Sequence, residues 1–207
     1  VVAGTQRKGR GRMQRTWRSH KGGLSFTVIT RPVISPVQSA RVGIAAALAV
    51  NRCLQSLHDL PSQVKWPNDI LVNDHKICGI LSEMAAEGEA TTHINLGIGL
   101  NVNNDPTRTE PAAVSIKKIT GKRVPRKTLL NCFLTEFEGL MADPLNHRLL
   151  DEWREHSATL GRQVKIVTLH QTIEGRAVDI DENGALKVVT PNGATVKALF
   201  GDCFIKG

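Results

Sequence analysis

The chain has no tyrosine and only eight aromatic residues, three Trp and five Phe, in 207 positions. Stacking platforms of the kind that single-stranded nucleic acid binders line up are therefore scarce. Acidic residues are missing from the first 58 positions, where ten Lys and Arg fall. The remaining 17 basic and 19 acidic residues nearly balance, so the net charge of +8 is a local property of the opening stretch. Cys53, Cys78, Cys132 and Cys203 form no CxxC and have no neighbouring His at ligand spacing. That pattern argues against a zinc site and for reduced, packed thiols in a cytosolic setting. No apolar run reaches the roughly 18 residues a membrane span needs; the longest, Val42 to Val50, is short and alanine-rich. No signal peptide is expected from the residues given, which do not start with Met. Val1-Val2-Ala3-Gly4 reads as a strand entered partway, with the expectation that upstream sequence is missing. No internal repeat or low-complexity tract is present.

What is there begins with Gln6-Arg7-Lys8-Gly9-Arg10-Gly11-Arg12. Guanidinium forks match the paired oxygens of phosphate or carboxylate, and alternating Gly lets backbone N–H groups approach a ligand that a Cβ would hold off. Arg10 and Arg12 can converge on one anion if the loop closes over it. Arg15 and Trp17 extend that surface, Trp17 offering a face to a flat base. The same residue types also suit a solvated basic loop or a nucleic-acid patch.

Leu24 to Thr30 is β-rich and stopped by Pro32, so a strand follows the basic loop directly. Ser35-Pro36-Val37-Gln38 has the order of a capping box with Pro at the first helical position, predicting a helix from about Pro36 to Leu57. Val64 to Trp66 and Ile70 to Val72 are extended runs broken by Pro67, and Asn73-Asp74 offers a turn before Lys76 to Glu83. His93 to Asn103 continues as a third strand of a meander, its glycines marking close approach by a ligand or backbone. Apolar spacing predicts helices over Arg126 to Met141 and His147 to His156. From Gly161 the texture changes to short β segments, Gln163 to His170, Thr172 to Ile180, Ala185 to Val189 and Ala194 to Leu199, at a spacing that suggests a small barrel. The expected fold is α+β: a mixed, mainly antiparallel sheet with helices on one face over residues 1–160, then a small β-barrel over 161–207.

Two further segments carry chemistry. In Lys65-Trp66-Pro67-Asn68-Asp69 a rigid Pro stop leaves Asn68 and Asp69 at a strand break, free to face a pocket or to bond their own backbone in a simple turn. In Lys76-Ile77-Cys78-Gly79 a Lys opening a strand beside Gly is either a surface residue or one that projects into a cleft.

Together these segments resemble the catalytic domain of biotin protein ligases. The family's Gly-Arg-Gly-Arg loop followed by Trp stands here as Gly9 to Arg12 and Trp17, its Lys-Trp-Pro-Asn-Asp as Lys65 to Asp69, its Lys-x-x-Gly-Ile-Leu as Lys76 to Leu81, and its Gly-x-Gly-x-Asn as Gly97 to Asn101. Order and spacing agree over nearly the whole chain, and the β-rich tail is similar to the family's SH3-like C-terminal domain. The resemblance implies ATP-dependent attachment of biotin, through an adenylate, to a lysine of a biotin carboxyl carrier protein, in the cytoplasm. It implies Gln6, Arg10, Gly11, Arg12 and Lys76 at biotin and the acyl phosphate, with Lys76, Arg12 and Arg10 catalytic. Arg15, Trp17, Lys65, Asn68 and Asn101 would face the nucleotide. Mg²⁺ would arrive with ATP, held mostly by substrate oxygens, with Asp69 the best protein candidate to touch it; orienting the incoming lysine or fixing the strand break are equal roles for Asp69. A homodimer through the sheet is a family possibility. No contact with membrane or nucleic acid is expected through this chain.

Two departures stand out. Gln14 occupies the place where the family usually has Gly, which would stiffen the loop. The family's upstream Ser/Thr-Thr-Asn segment, which helps bind the ureido ring of biotin, has no counterpart, implying a fragment or one half of a two-chain ligase. Three rivals remain: a lipoyl or octanoyl transferase, which would need a long apolar tunnel and a different loop; a nucleic-acid-binding basic module; and a non-catalytic scaffold derived from such a ligase.

Overall fold

The computed structural model describes residues 1–168 and 170–206. The chain opens with β1 (Val2–Ala3), then β2 (Gly9–Arg10) and β3 (Thr16–Trp17), which pair with each other as a separate small hairpin. Next come β4 (Leu24–Thr30), α1 (Ala40–His58), β5 (Ser62–Lys65), β6 (Asp69–Val72), β7 (His75–Glu87) and β8 (Ala90–Leu100). The main sheet has the order β1-β4-β8-β7-β6-β5, and every pairing in it is antiparallel. The expected meander is its right half. Three helices follow, α2 (Ile116–Thr120), α3 (Arg126–Met141) and α4 (His147–Glu155).

Period-2 alternation decides which face of the sheet is wet. Along β8, Ile94, Leu96, Ile98 and Leu100 are buried beneath the helices, while Asn95, Gly97 and Gly99 point to the opposite face. The sheet meets α1 through β5, β6 and β7, and Phe26 of β4 packs edge-on against Phe133 of α3 with ring centroids 5.0 Å apart. Complete burial of Leu48, Leu54, Ile94 and Leu96 contributes roughly 1.5–3 kcal/mol each. The capping signal at Ser35 is real, since Gln38 Oε1 accepts from the Ser35 N–H at 3.1 Å and hydroxyl at 3.0 Å. It closes one turn of 3₁₀ helix, Pro36–Gln38, and α1 proper starts at Ala40. Asp59, at φ 51°, ends α1 in a left-handed cap.

Cys53 of α1 and Cys132 of α3 form a disulfide, with Cα atoms 5.9 Å apart and a sequence separation of 79. This corrects the expectation of four separate thiols: spacing along the chain says nothing about two helix faces that pack together. Cys78 and Cys203 are free and buried.

A second antiparallel sheet holds β9 (Gln163–Val167), β10 (Thr172–Ile180), β11 (Leu186–Val189), β12 (Thr195–Ala198) and β13 (Asp202–Ile205), in the order β12-β11-β10-β9-β13. The α+β class with a small terminal β unit is thus as expected. The strand expected over Gln163 to His170 ends at Val167, and Leu169 lies outside the described residues. β13, which the sequence did not announce, closes the far edge. Side chains bolt this sheet to the first layer: Trp66 Nε1 donates to the Gly184 carbonyl at 3.1 Å, Arg41 Nε to Glu182 at 2.7 Å, and Arg154 Nε to Asp179 at 2.7 Å. Among the described residues no helix is long and apolar enough to cross a membrane.

Candidate active site

The arginine-rich stretch is a folded hairpin, not an open loop. Gly9 lies opposite Trp17 and Arg10 opposite Thr16. At the tip the Gly11 N–H donates to the Arg15 carbonyl at 2.7 Å, and the Arg15 N–H to the Arg12 carbonyl at 3.0 Å. Met13 and Gln14 turn the chain with φ of 49° and 60°. Gln14 therefore adopts a left-handed conformation that glycine enters without steric penalty, which accounts for Gly at this place in the family pattern.

Each arginine of the hairpin has a defined partner. Arg10 Nη2 meets Glu83 Oε2 of β7 at 2.8 Å. Arg12 Nη1 donates to Asn68 Oδ1 at 3.3 Å and to the Gly201 carbonyl at 3.2 Å. Arg15 pairs with Asp202. Burial lowers the Arg12 pKa from its ordinary value, with Asp202 and Asp69 opposing that fall. A guanidinium remains charged at neutral pH, so Arg12 is a partly desolvated cation.

Beneath the hairpin, the β5–β6 corner and β7 make the floor. Trp66 is buried and Asn68 is pinned, its Nδ2 donating to the Ile80 carbonyl at 2.7 Å. The Trp66–Pro67 peptide is cis. A bulge in β7 breaks the register after Ile70, so that Ile70 faces Cys78 while Leu71 faces Lys76. Such a bulge re-aims a side chain. The loop segment 112–114, bridged to Lys76 at Ala113, clamps the Lys76 backbone, whose N–H donates to the Ala112 carbonyl and whose carbonyl accepts from the Val114 N–H, both at 2.9 Å. The Lys76 ammonium lies 2.7 Å from Asp69 Oδ1 and passes over Gly79, where a Cβ would come within 3.3 Å of Lys76 Cε. Trp17 lies across Gly99 so closely that a Cβ there would overlap the indole. Its buried Nε1 has no hydrogen-bond partner among the described residues.

Hairpin and floor enclose a cleft of about 650 Å³. Gln6, Arg10, Gly11, Arg12, Arg15 and Trp17 border it on one side, and Lys65, Asn68, Asp69 and Lys76 on the other. Cys203 is in the wall too, but burial, with Lys65 opposing, pushes its thiol up to about 11, and burial raises the Cys78 thiol well above its usual range. Both are protonated at neutral pH and unsuited to nucleophilic attack. The concentration of fixed cations suits the cleft to holding two anionic groups close together.

Residues 1–101 match the biotin/lipoate A/B protein ligase family, and residues 159–206 match the biotin protein ligase C-terminal domain. The biotin--[acetyl-CoA-carboxylase] ligase of Mycobacterium tuberculosis is 32% identical over 210 residues, an alignment covering 98% of this chain and 77% of that protein. The chain belongs to the biotin protein ligase family. Among further relatives, the bifunctional ligase/repressor BirA of Bacillus spizizenii is 34% identical over 203 residues, covering 93% of this chain. The chain spans 62% of the length of that relative. A biotin protein ligase from Aquifex aeolicus, solved in complex with biotin and ATP, superposes with a TM-score of 0.84 at 27% identity, covering 99% of this chain and 87% of that one.

Within this biotin protein ligase frame one expected residue stands apart. Asn101 is buried, its Oδ1 accepting from Asn104 Nδ2 at 2.9 Å and its N–H bonded to Ile77 at 2.9 Å, and it is not in the cleft wall. It braces the end of β8 where it was expected to face a nucleotide. Asp69, expected as a Mg²⁺ contact, is engaged by Lys76, and among the described residues no group of three or more His, Cys, Asp or Glu forms a cation site. Among the described residues the protein groups do not make a metal cage. Reading the sequence missed Glu83 as the partner of Arg10, and Arg162 and the β13 wall from Asp202 to Ile205 at the cleft. Glu83 lay inside a segment read only as strand, and β13 reaches the cleft from the far end of the chain, where no local pattern points back to the hairpin.

Proposed function

We propose that the chain carries the catalytic centre of an ATP-dependent biotin protein ligase. The observation behind this reading is that Lys76 and the hairpin arginines border one cleft, in the order and spacing of a family whose members include an enzyme solved with biotin and ATP. In the first step an oxygen of the biotin carboxylate bonds to the α-phosphorus of ATP as the α–β P–O bond breaks, releasing pyrophosphate. In the second, a lysine amine of a biotin carboxyl carrier protein bonds to the acyl carbon, AMP leaves, and the amine proton passes to solvent. No protein nucleophile takes part. Arg12, Arg10 and Lys76 offset charge on the five-coordinate phosphorus and hold two anions together. Gln6, Gly11 and the same three cations hold biotin and the acyl phosphate; Arg15, Trp17, Lys65 and Asn68 take the nucleotide. No step is assigned to a protein-bound metal.

Residues 1–160 form the catalytic unit and 161–207 the SH3-like unit in this reading. A cytoplasmic setting goes with this reading. Incubation with biotin, ATP, Mg²⁺ and a biotin carboxyl carrier domain should add one biotin mass to a single carrier lysine, read by mass spectrometry. An unmodified carrier, with no pyrophosphate released, sinks the proposal.

A further inference from the structure

The Lys65–Asp69 corner of the floor is held from two sides. In front, Asn68 clasps β7 twice, its carbonyl accepting from the Ile80 N–H at 2.9 Å and its Nδ2 donating to the Ile80 carbonyl at 2.7 Å. Behind, residues 156–159, which lead into the second sheet, run alongside β5. The Val64 N–H donates to the His156 carbonyl at 2.9 Å, and the Ala158 N–H to the Val64 carbonyl at 2.8 Å. Trp66 makes the next two bonds, its backbone N–H donating to Thr159 Oγ1 at 2.9 Å and its indole Nε1 to the Gly184 carbonyl at 3.1 Å. Thr159 is fully buried, and Trp66, although it borders the cleft, is only 4% exposed. The turn that aims the Gly184 carbonyl is itself built: Asp181 Oδ1 accepts from the Asn183 and Ala185 N–H groups, both at 3.0 Å. Gly184 sits there at φ 84°, where a Cβ would come within 2.9 Å of Ile44 Cδ1. Buried donors are costly to leave unpaired, so the place of Trp66 is tied to groups outside the first sheet. Lys65 and Asn68, on either side of Trp66-Pro67, are carried with it to the cleft.

We infer that Trp66 is a positioning residue: bonded to Thr159 and Gly184, it fixes Asn68 and Lys65 where the nucleotide meets the floor. Its hold on the corner belongs to the fold without substrates; its effect on turnover rests on the ligase reading above. Two readouts separate them. Without substrates, Trp66→Phe keeps an aromatic ring but loses the indole donor, and should speed hydrogen exchange at the Ile80 amide roughly fivefold relative to the amides of β10. Thr159→Val removes the other acceptor at similar volume and should act in the same direction, and it carries the test if Trp66→Phe does not fold. Thr159→Ser, which keeps the hydroxyl, should exchange as the wild type does. With biotin and ATP, Trp66→Phe and Thr159→Val should each raise the KM for ATP roughly fivefold, with the KM for biotin held within about twofold. Asn68→Ala should show the same split, and Trp66→Phe/Asn68→Ala should go no further than Asn68→Ala. Exchange that quickens equally at Ile80 and in β10 reports lost stability alone and overturns the inference. Unchanged Ile80 exchange, equal rises in both KM values, or strictly multiplicative effects in the double variant overturn it too. A wild-type protein whose Ile80 amide is protected, and loosened by both substitutions, yet which releases no pyrophosphate leaves the hold on the corner standing and removes the ligase reading.

Discussion

Arg12 and Gln14 show how single side chains set the chemistry here. Arg12 is fixed by Asn68 and Gly201 and stripped of part of its water, which strengthens its field on a developing charge. Arg12→Ala should slow adenylate formation by about 10²–10³, the usual effect of removing one such donor, measured as single-turnover pyrophosphate release. Gln14 holds φ 60° without glycine's freedom. Gln14→Gly should leave the melting temperature level or slightly higher, because relief of the left-handed strain is balanced by a more flexible unfolded chain. Gln14→Val should destabilise by about 1–2 kcal/mol, since a β-branched side chain is worst in that region. At this scale the sequence was informative about residue type and less so about direction. Lys65, Asn68 and Lys76 reach the cleft, whereas Asn101, equally polar and beside a glycine-bearing strand, turns into its own hydrogen bonds.

Elements with a strong period were legible, and those defined by a few residues were not. β4 over Leu24–Thr30, α3 over Arg126–Met141 and β10 over Thr172–Ile180 fall where alternation or helical spacing put them. β2 and β3 are two residues each and exist only through their pairing. β13 is four residues whose strand character comes from docking on β9. The α1–α3 disulfide belongs to the same class of tertiary information. A sequence separation of 79 makes the loop closure worth roughly 4.5 kcal/mol by the chain-entropy argument. Dithiothreitol, or Cys53→Ser, should therefore lower the melting temperature of the oxidised protein, and alkylation under denaturing, non-reducing conditions should label Cys78 and Cys203 while sparing Cys53 and Cys132. Full labelling of all four thiols would contradict the pairing.

Across the whole molecule, two sheets act together because the first layer supplies the floor and hairpin while the second supplies the anchors behind them. Asp181 illustrates the joint: it is 4% exposed, at the turn that follows β10 and leads to Gly184, the acceptor for Trp66. Burial opposes its ionisation, but hydrogen bonds from Lys197 and from the Ala185 and Asn183 N–H groups outweigh that, holding its carboxyl below the ordinary value. A depressed folded value stabilises the native state above the unfolded value near 3.9, and that contribution drains away as pH falls through the folded one. Melting temperature should accordingly drop steeply below about pH 4. Asp181→Asn, less stable at neutral pH by about 1–3 kcal/mol, should lose less on the same acid descent.

The central claim is that one cleft brings Lys76 and the hairpin arginines to bear on the same acyl phosphate. Single-turnover pyrophosphate release from ATP and biotin, compared between the wild type and a folded Lys76→Ala variant, tests it most directly. Release that is prompt in the wild type and lost in the variant, with the melting curve retained, is the predicted result; equal release from both would contradict it.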